Sequence, residues 1–304
     1  MLMPRILIYL TFLLVGGLSA CTDHRVPAVT PGSTTTRLRV KTLTLDLPDN
    51  KAKVSAFRYD GQGRLSSILT YQTPDSTVSV IEYNNYQYDG QNRLTQLRRE
   101  VFGNPRTDPP GVEQYEYSYN AAGQVSGLLY RSRGELIFTV GLGYTATNLL
   151  SGNGKRFIIP GIDYRETNGF VFTGNNPTTI NKSITVIARG GPPMTSSSTA
   201  TLTYDDKANP FYGVYVIPAP FPSGFANPTF GPNFIVDTYF GGVDNALNLG
   251  KNNVLTQGGG TPQGGTALYQ YQYNAADLPT VRVRTTTVGA VATVQTLRFE
   301  YESY

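Results

Sequence analysis

Tyr86-Gln87-Tyr88-Asp89-Gly90-Gln91-Asn92-Arg93-Leu94 decides the fold of this chain. Tyrosines alternate with polar residues up to Asp89, a short polar stretch follows, and a new apolar run begins at Leu94. An Asp or Asn after the tyrosine bonds its own backbone two residues on and seeds a turn. A Gly or Asn three positions later accepts positive φ at little steric cost, as a type I turn with a G1 bulge requires. The stretch reads as one β-hairpin.

The same pattern returns along the chain. Phe57 to Leu65 carries Tyr59-Asp60-Gly61-Gln62-Gly63-Arg64-Leu65, and Asp60 lies 29 residues before Asp89. A third copy is Tyr119-Asn120-Ala121-Ala122-Gly123-Gln124-Val125, with Asn120 lying 31 residues after Asp89. Degraded copies read at Tyr144 to Leu150 and at Tyr164 to Phe170, and a last one at Tyr273 to Leu278. A spacing near thirty suits two strands and two turns, so successive copies predict an antiparallel meander. A first strand is expected over Val40 to Leu47. Tyr115, Tyr117 and Tyr119 share one face, as do Tyr269, Tyr271 and Tyr273. Val281 and Val283 alternate with Arg282 and Arg284, and Leu297, Phe299 and Tyr301 with Arg298 and Glu300. This period of two belongs to strands with one wet face.

Composition agrees. Of 304 residues, 15% are charged and 39% hydrophobic, with 32 Gly, 20 Pro, 21 Tyr and no Trp, which favours strands and turns over helices. The net charge of +4 is spread singly along the strands apart from Arg98-Arg99 and Lys155-Arg156, so it reads as a solvated surface and not as a nucleic-acid footprint.

Residues 1–20 read as a targeting segment: Arg5 precedes the short apolar run Ile6 to Leu14. Leu18-Ser19-Ala20-Cys21 then resembles the lipobox of bacterial lipoproteins, which implies cleavage before Cys21 and lipidation of its thiol. Cleavage removes Arg5 and no acid, lowering the net charge from +4 to +3. Cys21 is the only cysteine, so the chain has no internal disulfide. Residues 21–38 read as a flexible tether and residues 39–304 as one β domain. The partner so implied is a lipid bilayer, with outer-membrane anchoring and either face open.

The Tyr-Asp-x-x-Gly-Arg-Leu units resemble the YD repeats of bacterial RHS-type shells. Together with the lipobox, Thr203-Tyr204-Asp205-Asp206-Lys207-Ala208-Asn209-Pro210-Phe211, Leu249-Gly250-Lys251-Asn252-Asn253-Val254 and the closing Tyr-x-Tyr-Asn…Leu-Pro-Thr, they are similar to a group of Bacteroidota-type lipoproteins. That group resembles the domain of unknown function with a porin-like fold. The resemblance spans roughly residues 40–304. It implies an all-β, up-and-down meander closed or curled into a large barrel-like shell, and it implies no activity.

Residues 206–267 interrupt the meander. Prolines 210, 218, 220, 222, 228, 232 and 262 keep most of it out of an inner ladder. Val214 to Ile217 reads as an edge strand and Asp244 to Leu247 as a helical turn capped by Asp244. With Phe211, Phe221, Phe225, Phe230 and Phe234, the segment reads as a plug over exposed core.

Little here points to catalysis. His24, the only histidine, lies in the tether, which excludes Ser-His-Asp and Cys-His mechanisms and His-ligated zinc. Gly152-Asn153-Gly154-Lys155 lacks the Ser or Thr of a phosphate loop and reads as a hairpin turn. Asp205-Asp206 and the pair Glu113 and Glu116 are the carboxylates open to glycosidase chemistry. Asp205-Asp206 reads more simply as turn capping, with a calcium contact as the lesser alternative. No cofactor and no metal site is expected. The tyrosine rows read as cross-strand pairs, with a sugar-stacking platform as the alternative. Candidate ligand contacts are therefore Tyr117, Tyr271, Phe221 and Phe230, for a glycan or other envelope ligand.

The expected role is a non-enzymatic envelope lipoprotein, structural or ligand-binding. A carbohydrate-active protein using paired carboxylates and a transmembrane β-barrel are its rivals. Counting back in twos from Tyr304 gives Glu302, Glu300 and Arg298, a polar face where a lipid-facing last strand needs apolar residues.

Overall fold

The structure is a computed structural model that describes residues 31–33, 35–74, 81–102, 111–214, 246–259 and 265–304. A two-residue strand, β1 (Gly32–Ser33), precedes β2 (Leu38–Asp46), β3 (Ala52–Tyr59), β4 (Leu65–Thr73) and β5 (Ile81–Tyr88). Next come β6 (Leu94–Phe102), β7 (Gly111–Tyr119), β8 (Val125–Ser132), β9 (Glu135–Tyr144) and β10 (Leu150–Ile159). The longest strands follow: β11 (Ile162–Thr173), β12 (Asn176–Ala188) and β13 (Met194–Ala208). The chain ends with β14 (Asn252–Gly259), β15 (Thr266–Tyr273), β16 (Pro279–Val288) and β17 (Val291–Ser303).

Each strand from β2 to β17 pairs antiparallel with its neighbour in sequence, and β17 returns to pair with β2 through Leu297↔Leu45 to Ser303↔Leu38. The sixteen strands therefore close into an up-and-down barrel, and closure removes every sheet edge. The expected meander holds, and it holds as a full barrel. β1 adds a short pairing, Gly32↔Arg39 and Ser33↔Leu38, outside this cycle.

All turns that follow odd-numbered strands lie at one end, here the hairpin end. There Asp60 Oδ1 accepts from the backbone of Gln62 and Arg64, both at 2.9 Å, and the Asp60 backbone N–H donates to the Arg64 carbonyl. Asp89 repeats this with Gln91 and Arg93, Asn120 with Ala122 and Gln124, and Asn274 with Ala276 and Leu278. The fourth residue of each turn takes positive φ, at Gly63 (80°), Asn92 (62°), Gly123 (79°) and Asp277 (57°). Thr145 plays the leading role in the degraded copy, with Asn148 at 65°.

The register shifts just before each of these turns, as between Arg58 and Tyr59 or Gln87 and Tyr88. This bulge sets which side chains of the return strand point inward. The first apolar residue does, and the next two do so three and five residues later: Leu94, Leu97 and Arg99 on β6, for example.

Several local expectations change. Tyr164 to Phe170 is the interior of β11 and not a hairpin; the turn at that level is Gly174-Asn175. Gly152 to Lys155 lies inside β10 and not in a turn. Asp205 and Asp206 lie in β13, before the turn instead of in it. On β16 the inward faces are reversed: Arg282 and Arg284 point in beside Tyr271 and Tyr269, and Val281 and Val283 point out. The irregular stretch starts after Ala208, and strand resumes at Asn252. Val214 is buried but not in a strand, and Ala246–Asn248 forms a 3-10 turn. Asp244 and residues 215–217 lie outside the described residues.

The barrel lumen as candidate functional site

A ring of tyrosine latches closes the hairpin end. Near the end of seven of the eight odd strands from β3 to β17 a tyrosine reaches back across the sheet to a carbonyl near the start of the previous even strand. Tyr59 donates to Val40, Tyr88 to Leu65, Tyr119 to Leu94 and Tyr144 to Val125. Tyr204 donates to Pro177, Tyr271 to Val254 and Tyr301 to Pro279, so the seven distances run from 2.5 to 3.0 Å. β11 alone breaks the ring, because Phe172, the residue past its bulge that faces Pro177, carries no hydroxyl. Burial raises the phenols of Tyr59, Tyr88, Tyr119, Tyr204, Tyr271 and Tyr301, in the case of Tyr119 to about 12, so these remain donors at any physiological pH. Guanidinium groups cover three of the rings: Arg39 sits 4.0 Å from the centre of Tyr59, Arg64 4.4 Å from Tyr88 and Arg93 4.8 Å from Tyr119.

Beneath the latches the lumen is apolar. Phe57, Tyr86, Tyr117, Phe170, Leu202 and Phe299 come from odd strands and meet Ile68, Leu97, Leu128 and Ile180 from even ones. One layer further, an aromatic chain runs around the wall. Tyr115 packs on Tyr130 at 4.8 Å, Tyr130 on Phe138 at 4.6 Å, Phe138 on Phe157 at 5.2 Å and Phe157 on Tyr164 at 4.9 Å.

Buried charge sits at and below this level. Arg99 from β6 reaches Glu82 of β5 at 3.1 Å and Glu113 of β7 at 2.8 Å. Lys182 of β12 pairs with Glu166 of β11 at 2.9 Å, and Asn168 bridges Glu166 to Asn153. Burial alone would raise the Glu166 carboxyl, but Lys155 and Lys182 hold it below the ordinary value. Arg282 and Arg284 complete the set on β16, both buried. Apart from Arg282, which lies beside Tyr271 among the hairpin-end residues, the buried charge lies further from the hairpin end than the apolar layer.

Sequence reading placed these cations on a solvated surface, and the structure corrects that. Arg99, Lys155, Lys182, Arg282 and Arg284 are each no more than 9% exposed. The signal that finds them is parity. Steps of two back from Tyr88 give Tyr86, Asn84 and Glu82, and from Tyr119 give Tyr117, Tyr115 and Glu113. Past each bulge, the offsets are counted from the residue that pairs with the strand's last tyrosine: five from Leu94 gives Arg99, and three and five from Pro279 give Arg282 and Arg284.

The insertion is spliced into a repeat turn. Asn209 Oδ1 accepts from the Phe211 backbone and the Asn209 backbone N–H donates to the Lys251 carbonyl, as Asp60 does with Gln62 and Arg64. Residues 213–250 enter between. Phe211, Val214, Leu247 and Leu249 are buried in the barrel core, with Phe211 6.3 Å from Phe57. The described roots of the insertion therefore fill the hairpin end. The short strand β1 joins them, since Gly32 donates to the Pro210 carbonyl at 2.6 Å.

The remaining candidates fall as follows. Tyr117 is buried in the apolar layer, and the Tyr271 hydroxyl is engaged by Val254. Phe221, Phe230 and Cys21 lie outside the described residues. Glu113 and Glu116 occupy opposite faces of β7: Glu113 binds Arg99 inside, and Glu116 binds Arg131 outside at 3.2 Å. They are not a facing pair. Asp205 accepts from the Lys207 and Asn253 backbones and from the Tyr273 hydroxyl, and so braces β13 against β14 and β15. Among the described residues no three His, Cys, Asp or Glu side chains group to hold a metal ion.

No protein-family model matches the chain, and no curated protein does. Among solved structures, a porin-like protein from Bacteroides uniformis is similar over 86% of this chain and 98% of that one, at 12% identity and a TM-score of 0.51. A porin-like protein from Bacteroides vulgatus matches over the same shares at 12% identity with a TM-score of 0.35. The Photorhabdus luminescens Tc holotoxin pore matches 83% of this chain and 15% of that one, at 12% identity and a TM-score of 0.27. Only the first score bears on architecture: this chain has a porin-like barrel fold.

Proposed function

We propose that this chain is a non-enzymatic protein of the bacterial cell envelope, anchored to the outer membrane by lipid on Cys21. In this reading it carries a filled, water-facing barrel with a structural or ligand-binding role. The observation that carries the reading is the outer face of the wall. Arg98 with Glu100, Arg131 with Glu116, Arg298 with Asp46, and Thr42 with Glu300 all pair outside, on strands that a membrane barrel would turn toward lipid. A cation at the bilayer midplane of such a barrel costs about 2–4 kcal/mol, and these pairs are spread over five strands, β2, β6, β7, β8 and β17. The filled hairpin end argues in the same direction, because it leaves no open channel there. The buried carboxylates are held by cations or amides, which suits a scaffold better than an acid–base pair.

Detergent phase partitioning separates the readings. The full chain is expected in the detergent phase, with an acylated N-terminal cysteine by mass spectrometry. A variant with Cys21→Ser, exported through a non-lipoprotein signal, is expected to fold in buffer alone. A Cys21→Ser protein that stays in the detergent phase would instead assign a transmembrane barrel. A glycan array probed with the mature protein then divides the two roles: selective binding assigns ligand binding, and silence across the array assigns a structural part.

A further inference from the structure

Closure removes sheet edges only along the length that neighbouring strands share, and β17 outruns β2. Their ladder begins at Leu297↔Leu45, and β2 ends at Asp46, where Leu47-Pro48-Asp49 turns the chain toward β3. β17 itself starts at Val291, and from Val288↔Val291 to Val283↔Thr296 it pairs with β16 alone. β15 backs β16 there through Thr266↔Thr287 to Gln270↔Val283. A three-stranded sheet thus runs to the end of the barrel opposite the hairpin end, and its β17 side is open. Among the described residues no strand takes that side, and residues 291–295 are all exposed.

This edge lacks the features that keep edge strands apart. Residues 285–297 include no charge and no proline, and eight of the thirteen are Val or Thr, both strong strand formers. An open row of backbone N–H and C=O groups on such residues is a template for a further strand. Apolar side chains flank the row on both faces. Val294, 64% exposed, stands in one cross-strand row with Thr285 and the exposed Leu268, while Val291, 66% exposed, stands on the opposite face beside Val288. An added strand covers both valines.

The absence of charge favours one occupant. Two copies of the same edge pair antiparallel about a two-fold axis, so each residue meets itself or a near neighbour. A register centred on Thr293 sets Thr293 against the same residue of the second copy, Ala292 against Val294 and Val291 against Gln295. No like charges meet in it, which is the usual obstacle to self-pairing. A foreign strand finds no side-chain charge here to select it.

We propose that residues 291–296 of β17 form a self-association edge, through which two copies of this chain join antiparallel into one continuous sheet. This inference does not depend on the envelope role.

Sedimentation velocity of the purified full chain, in a density-matched mild detergent, should show a monomer–dimer equilibrium that shifts with concentration. Val294→Lys and Val294→Glu should each abolish the dimer, and an equimolar mixture of the two should restore it. Directly opposed Cα atoms of an antiparallel pair lie about 4.5–5.5 Å apart, within disulfide reach. In a Cys21→Ser background, Thr293→Cys should therefore yield an oxidised dimer on a non-reducing gel, whereas Thr167→Cys, at an exposed position on β11, should not. A monomer at every concentration, a dimer untouched by Val294→Lys, a charge-swapped mixture that stays monomeric, or equal cross-linking through Thr167→Cys would each overturn the proposal. So would a monomeric chain whose β17 edge takes up only an added extended peptide. Should neither variant at position 294 fold, the Thr293→Cys cross-link decides the matter.

Discussion

The Tyr88 hydroxyl lies 2.7 Å from the Leu65 carbonyl, joining the end of β5 to the start of β4. The bond ties consecutive hairpins together at the level where the bulge opens the ladder, so it supplies an acceptor's partner where sheet pairing is locally lost. Tyr88→Phe keeps the ring under Arg64 and removes only this donor. A neutral hydrogen bond contributes about 1 kcal/mol, and a buried carbonyl left without a partner raises the loss toward about 2–3 kcal/mol. Urea denaturation should show a loss in that range for Tyr88→Phe and for Tyr119→Phe. A change below a few tenths of a kcal/mol in both would reduce the ring to packing alone.

β11 offers the reverse experiment. Phe172 occupies the latch position opposite the opening of β10, where Leu150 is buried. Phe172→Tyr is expected to match or exceed the parent stability, by up to about 1 kcal/mol if the new hydroxyl reaches the Leu150 carbonyl. A marked loss would mean that this sector has been shaped around the missing oxygen.

The repeated turn is testable through φ. Gly63 stands at 80° and Asn92 at 62° in equivalent places. An L-residue with a Cβ and no local side-chain bond is strained there by roughly 1–2 kcal/mol. Gly63→Ala should therefore lower stability by about that amount, whereas Asn92→Gly should leave it within about 0.5 kcal/mol. Equal effects from the two would sink the left-handed assignment of this position.

Much of the barrel was legible because its information is local. Asp60, Asp89, Asn120 and Asn274 each build their own reversal within five residues, and a string of such reversals permits only sequence-adjacent pairing. Closure by β17 on β2 is nonlocal, and no residue in either strand announces it. The charged lumen was obscured by the bulge. A strict period of two run backward from Leu297 and forward through Val281 puts the wrong face of β16 inside. The one-residue shift at Tyr273 puts Arg282 there. The packing of the insertion roots was also beyond reach, since Phe211, Leu247 and Leu249, far apart in sequence, come together in the barrel core.

Phe211 carries the described packing of the insertion root, 2% exposed and set against Phe57. Phe211→Ala removes a buried ring whose space its neighbours refill only in part, a change that costs about 3–5 kcal/mol. Chemical denaturation should register that loss, and protease sensitivity should rise near residues 209–214 before the rest of the barrel. A loss under about 1 kcal/mol would show that the hairpin end stays closed without this root.

The buried carboxylates give the barrel an acid limit. Burial opposes the Glu166 charge, but Lys155 and Lys182 outweigh it and set the folded value below the ordinary 4.5. On acidification the unfolded chain takes up this proton first, at about 4.5, and the folded chain only at a lower pH. The stability from Glu166 is thus complete above that unfolded value and is lost as pH falls through the folded one. Glu166→Gln leaves two buried lysines short of a carboxylate, and by the precedent of broken buried pairs costs about 3–5 kcal/mol at neutral pH. The diagnostic is the slope: stability plotted from pH 7 to pH 3 should decline less steeply below pH 5 in Glu166→Gln than in the parent. The double variant Glu166→Gln with Lys182→Met should recover much of the neutral-pH loss while keeping the flatter slope. Parallel pH curves for parent and Glu166→Gln would rule Glu166 out as a source of the acid limit.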